Sequence, residues 1–308
     1  MTAPGNTTVD AGLTWGEIVP PAARVRIAVV AAFLLLAYWG QIRHTLVSRW
    51  ISDGNWSHGW LIPVLSLYFL GTQREALARA VPRPSYVGAA VLALSLTLYF
   101  LSAWWFRMAY PQALSIVGAI AGVTLLLGGW SVLRVAWFPI AFLWFAIPLP
   151  HSMYVELTMP LRRLATVAAA ALMPLFASGL HTEAQSVIID YTWPGVAQGT
   201  LNVEEACSGM RLMMAFIVLG VAMAYLFVRS WWQRAIMVAT CIPIAVFCNT
   251  IRVTVTGLLY VHGRPDLSRG TPHQLLGIAT LGVALGLFSL IGYVLSHLFV
   301  EVPEEERS

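Results

Sequence analysis

The run Glu204-Glu205-Ala206-Cys207-Ser208-Gly209-Met210-Arg211 sets two carboxylates, a thiol and a guanidinium directly before the apolar stretch LMMAFIVLGVAMAYLFV. Charge beside a bilayer is costly and tends to mark function. Cys207 stands where a helix would begin, and the macrodipole and free N–H groups there favour a thiolate. Arg211, four residues on, shares its helical face, while Glu204 and Glu205 oppose the thiolate unless they pair with arginine. Further along, CNTIRVTVTG (248–257) places Asn249, Arg252 and Thr256 at i, i+3 and i+7, one face of a helix. An arginine within an apolar run must face protein or water rather than lipid. Taken alone, Arg252 reads equally well as half of a structural ion pair with a carboxylate such as Glu205. SRGTPHQLLG (268–277) then brings His273 to the start of the last apolar run. Ser268 and Thr271 are candidate caps there, and Pro272 suits a first helical turn. A thiol, an imidazole and a fixed cation form a cysteine-nucleophile set: base-activated sulfur, proton shuttle and charge stabilisation for an oxyanion.

The elements that must position these groups are membrane helices. Of 308 residues 58% are hydrophobic and only 10% charged, with mean hydropathy +0.74, whereas a soluble domain carries about 25% charged residues. Apolar runs fall near 27–47, 59–71, 87–104, 112–130, 135–149, 209–228, 235–258 and 274–299. The expected fold is therefore an all-α polytopic membrane protein with about eight transmembrane helices. All eighteen basic residues are Arg, and the net charge of +4 fits loops on a cytoplasmic leaflet better than nucleic-acid binding. An inside N-terminus puts Arg24, Arg26, Arg74, Arg79, Arg83, Arg134, Arg229 and Arg234 inside. It also brings Cys207, Arg252 and His273 to the opposite face.

Residues 1–23 read as a disordered tail without the basic n-region of a signal, 24–300 as the membrane domain and 301–308 as an acidic cytoplasmic tail. Residues 151–206 read as an extracytoplasmic or interfacial cap. Within it, the Ala-rich 164–180, with Pro174 and the preceding Arg162-Arg163 pair, suits a helix lying in the interface or a re-entrant segment. The alternating residues 186–206 predict a small β-hairpin around a Trp193-Pro194-Gly195 turn. In the first loop, DGNWSHGWLIP (53–63) offers His58 as a second imidazole, or else a Trp-rich interfacial belt. Cys241 and Cys248 read as buried structural thiols, and no metal site or cofactor is expected.

NVEEACSGMR, NTIR and PHQLLG, in that order on successive spans, resemble the exosortase/archaeosortase family. NWSHGWLIP and FLWFAIPLP are similar to that family's N-terminal half, so the resemblance covers about residues 50 to 295. It implies a polytopic cysteine transpeptidase of the bacterial cytoplasmic membrane, with its active site on the extracytoplasmic face. The implied partners are exported proteins bearing a C-terminal sorting signal: a Pro-Glu-Pro-like motif, a transmembrane helix and a basic tail. Membrane lipid would surround the chain, nucleic acid is not implied, and the oligomeric state is left open. By the same resemblance Cys207 is the nucleophile, Arg252 and His273 complete the catalytic set, and PHQ points to the bacterial branch. Glu205, Arg211, Asn249 and His58 are expected to bind substrate or support the site. A soluble C-terminal domain found in some members is expected to be absent or separate. Two other classes compete with this reading. A transporter or exopolysaccharide-assembly subunit predicts midspan polar groups and inverted repeats. A lipid- or sugar-modifying transferase predicts a clustered acidic or His motif.

Overall fold

The computed structural model describes residues 20–203, 209–227, 230–264 and 270–298, and the chain divides into two compact units, Met1–Leu149 and Pro150–Ser308. In the first unit, α1 (Pro21–Ala37) and α2 (Trp39–Ser52) meet at 63°, because Tyr38 leaves helical geometry with ψ 7. A 3₁₀ stretch, Gly54–Trp60, opens on Asp53, whose carboxylate accepts from the Asn55 N–H at 3.0 Å. There follow α3 (Leu61–Thr72), α4 (Arg74–Arg79), α5 (Tyr86–Trp104) and α6 (Ala109–Phe142), which a 3₁₀ turn, Leu143–Ala146, prolongs.

The helix α6 is folded, not straight. With its 3₁₀ turn it covers 38 residues, about 57 Å if straight at 1.5 Å per residue. Yet Gln41 donates to the carbonyl at one end, Ala109 (3.0 Å), and Trp50 to the carbonyl at the other, Ala146 (2.8 Å). Those donors are nine residues apart on α2, about 14 Å along a helix. The reversal is at Gly129, with φ 74 and ψ −170, a conformation open almost only to glycine. The Arg83 carbonyl occupies the place where a Cβ would sit, and the Arg83 N–H bonds the Gly128 carbonyl at 3.1 Å.

In the second unit, α7 (His151–Phe176) leads into a three-stranded antiparallel meander, β1 (His181–Gln185), β2 (Ile188–Trp193) and β3 (Ala197–Asn202). Then come α8 (Gly209–Phe227), α9 (Trp231–Ala239), α10 (Cys241–Val261) and α11 (Gly270–Leu298). The expected Trp193-Pro194-Gly195 turn joins β2 to β3, where Trp193 pairs with Ala197 and Gly195 takes φ 75. The hairpin has a third strand because β1 adds to β2, with His181 opposite Thr192 and Gln185 opposite Ile188. Its sequence, HTEAQ, has no apolar alternation to announce a strand. Ile189 and Leu201 turn inward from the sheet and join Met173 of α7 and Val253 of α10 in one core. A proline fixes this junction. Pro174 has no N–H to give the Ala170 carbonyl four residues back, and the Thr182 hydroxyl supplies the missing donor at 2.6 Å.

Among the described residues five helices are long and apolar enough to cross a membrane, six if the bent pair α1–α2 is one span. The count differs from the expected eight, and it takes both arms of the folded α6 as one helix. The run 59–71 is α3, whose 12 residues reach only about 18 Å. The runs 112–130 and 135–149 are the two arms of α6. The run 209–228 is α8, described in full only over Met214–Phe227. Residues 164–180, read from sequence as interfacial, mostly fall in α7, a continuous 26-residue helix with the length and hydropathy of a span. Gly129→Ala is expected to destabilise the first unit by about 1–3 kcal/mol from backbone strain alone, more if the Arg83 loop is displaced. A lowered melting temperature of the detergent-solubilised protein would show it.

Candidate active site

Helix α10 carries the expected arginine face, and all of it is buried. Asn249 is 5% exposed, Arg252 1% and Thr256 0%. Arginine stays protonated under any folding condition, so α10 holds a fixed positive charge inside an apolar span. Asn249 Oδ1 accepts from Arg252 Nη2 at 3.4 Å, a long bond that orients the guanidinium more than it neutralises it. Thr250 satisfies itself through the Val246 carbonyl at 2.9 Å. Among the described residues the Thr254 and Thr256 hydroxyls are buried without a hydrogen-bond partner.

Small residues make room for this face. A Cβ at Gly257 would lie 2.7 Å from Met173 Sδ and 3.3 Å from Leu201 Cδ2, so glycine there lets α7 and β3 close on α10. Leu161 packs at the Cys241 end of α10 while Met173 meets Gly257, so α7 and α10 run in the same direction. Counted back five residues from the Gly257–Met173 contact, Arg252 is level with Ala168, beside the buried Ala169. The structure also shows a residue that sequence reading passed over. Arg162 is 3% exposed, whereas its neighbour Arg163 faces out. Arg162 Nη2 lies 3.3 Å from Thr158 Oγ1, and Thr166 Oγ1 donates to the Arg162 carbonyl at 2.8 Å. The signal was the spacing Thr158-Arg162-Thr166, one polar residue per four on a single helical face.

The helices bearing the three motifs pack together. Phe216 and Met223 of α8, Cys241 and Cys248 of α10, and Ala284 and Phe288 of α11 share one core. Cys241 and Cys248 are free and buried, as expected of structural thiols. Gln233 donates to the Leu295 carbonyl at 2.9 Å, Met237 touches Gly292, and Cys241 and Phe288 both border Gly220. The Arg234 guanidinium lies 5.7 Å from the Tyr225 ring centroid. Both series run oppositely, so α8 and α11 are antiparallel to the α9–α10 arm. Extended by eleven residues, they set Arg252 level with the first turn of α8 and with Gly277 of α11. His273 is four residues from Gly277, about 6 Å along the axis.

Cys207, Glu204 and Glu205 lie outside the described residues. Arg211 and His273 belong to the described helices α8 and α11, with their side chains outside the description. His58 belongs to the first unit, in the 3₁₀ stretch beside Trp56, ring centroids 5.8 Å apart. Both its ring nitrogens are buried, without hydrogen-bond geometry to a partner among the described residues. Burial pushes the imidazole pKa down, against a weaker opposing pull from the backbone of Phe145 and Asn55. Among the described residues no cluster of His, Cys, Asp or Glu is arranged to hold a metal ion.

The family described as transmembrane exosortase matches residues 50–290. The chain belongs to the exosortase family. That match takes in the 3₁₀ stretch with His58, the whole α7–sheet–α8 segment, the Arg252 face and the start of α11. No curated protein and no solved structure matches the chain. For this exosortase the depressed His58 pKa has a consequence with a definite sign. Folded His58 resists protonation more than the unfolded imidazole, so stability is full above about pH 6.5 and falls as pH drops below it. The slope is at most about 1.4 kcal/mol per pH unit. Melting curves between pH 7.5 and 5.5 should show the fall, and His58→Gln should flatten it.

Proposed function

We propose that this chain is a membrane-embedded cysteine peptidase and transpeptidase. It cleaves the C-terminal sorting signal of exported proteins (a Pro-Glu-Pro-like motif, a membrane helix and a basic tail) and serves surface attachment linked to exopolysaccharide systems. The observation that carries the reading is Arg252, a fixed cation 1% exposed on the central helix of a chain matched to the exosortase family over residues 50–290. Such a charge is suited to a reaction that builds negative charge on oxygen away from bulk water.

Cys207 gives up its thiol proton to His273, and the sulfur attacks the scissile carbonyl of the sorting signal. The C–N bond breaks, His273 returns the proton to the leaving amine, and a thioester joins the substrate to Cys207. Arg252, oriented by Asn249, stabilises the oxyanion of each tetrahedral intermediate. An amine, a hydroxyl or water then attacks the thioester and frees the thiol. Glu205, Arg211 and His58 act in substrate binding or in support of these groups. The proposed setting is the bacterial cytoplasmic membrane, with the reaction on its extracytoplasmic face.

The test uses a reporter protein ending in the tripartite signal, co-produced with the full chain. Cys207→Ala should abolish processing while the protein still reaches the membrane. Arg252→Lys, which keeps a charge and loses the planar fork, should lower turnover by about 100-fold or more. Processing by Cys207→Ala at the original rate would refute the assignment of the nucleophile.

A further inference from the structure

Among the described residues no further strand pairs with the outer edge of β1, and that edge lines a cleft. Gln185 and Ile188 flank the two-residue turn Ser186–Val187, with Ser186 at φ 59, so they form a hydrogen-bonded pair. Such pairs alternate in an antiparallel ladder. Glu183–Asp190 and His181–Thr192 are therefore bonded too, and the N–H and C=O groups of Thr182 and Ala184 point away from β2. Among the described residues no backbone hydrogen bond reaches them from that side. They border a cleft of about 570 Å³ whose opposite wall is the Val167, Ala171 and Pro174 face of α7. A row of unpaired amides beside an apolar wall matches a peptide backbone, and strand addition at such an edge is a recurrent way to bind one.

The charges narrow the occupant further. Thr182 reaches into α7, to the Ala170 carbonyl, so residues 182 and 184 face the helix and 183 faces the other way. There Glu183 stands directly opposite Asp190 of β2, two like charges on one sheet face, an arrangement that costs stability. A cation on an added strand beside Glu183 would relieve it.

We propose that the free edge of β1 takes up an extended segment of the polypeptide substrate as a fourth strand. The segment presents small apolar side chains to α7 and a cationic residue opposite Glu183. This rests on the peptidase reading, and it adds where and how the polypeptide is held. Thr182 and Ala184 supply the backbone pairing, Val167 and Ala171 the apolar wall, and Glu183 the selectivity for charge.

The experiment places a photo-crosslinking residue at Ala171 in the full-length Cys207→Ala chain, in membrane vesicles. Two reporters carry the tripartite signal, preceded by an alternating Ala-Lys-Ala or Ala-Glu-Ala segment. The lysine reporter should form the adduct, and the glutamate reporter at least five times less. The same probe at the exposed Leu290 of α11 should form none. No adduct from Ala171, or equal adducts with both reporters, would overturn the proposal. In the chain with Cys207 intact, Ala184→Pro removes one outward N–H and leaves the β1–β2 bonds in place. It should reduce processing of dilute lysine reporter about tenfold and of saturating lysine reporter by less than twofold. Unchanged processing of the dilute reporter, or an equal loss at both concentrations, would overturn the strand pairing. Cross-linking does not require cleavage, so a Cys207→Ala chain that still processed its reporter would refute the nucleophile without touching the cleft.

Discussion

The second unit is organised around the need to hold one guanidinium where water is scarce. A charge in a low-dielectric interior is tolerable only when its surroundings are polar and fixed. Around Arg252 these conditions are met locally, by Asn249 one turn back. The approach of the neighbouring elements is made possible by residues without bulk: Gly257 beneath Met173 and Leu201, and Ala165 and Ala169 on α7. Larger residues at those points would hold α7 and β3 away and open the arginine to lipid.

The choice of arginine fits this constraint. The chain has eighteen basic residues and none is lysine. A lysine buried to the same degree sheds its proton readily, whereas the guanidinium stays charged and offers five donors in one plane. Arg162 repeats the solution one helix away, with Thr158 in the place of Asn249. Two permanent cations therefore stand on facing elements of one unit. The neighbouring Arg163, one residue and about 100° further round the helix, points away from the unit instead.

Sequence reading reached the helical class, the Trp193-Pro194-Gly195 turn and the Asn249–Arg252–Thr256 face, because each rests on local periodicity or turn chemistry. It did not reach features that depend on distant partners. Gly129 is one glycine among 24, and only the Arg83 carbonyl packed against it shows why it reverses α6. The strand β1 exists because β2 is there to pair with it, and HTEAQ carries no signal of its own. The helix through residues 164–176 was not legible for a similar reason. Pro174 and the arginine pair argued against a continuous span, but Pro160 and Pro174 are absorbed within α7 and Arg162 turns inward. Of the site, the motif order and the burial of Arg252 were legible. The register that aligns α8, α10 and α11 was not, since it is set by contacts such as Gln233 with Leu295.

Pro174 shows how a helix defect becomes a structural joint. A proline inside a helix leaves one carbonyl without its donor, and in a membrane span no water is at hand to replace it. Here the orphan, Ala170, is answered by Thr182 from the first strand of the sheet. The defect therefore couples the last turns of α7 to the cap. Further along, Trp193 donates to the Ser178 carbonyl at 3.1 Å, and its ring centroid lies 5.2 Å from that of His262 past the end of α10. The sheet is pinned to α7 and to α10, the helix that carries Arg252. A segment seated on β1 would then be held in a frame referenced to the guanidinium, which gives a flexible polypeptide a fixed position relative to the fixed charge.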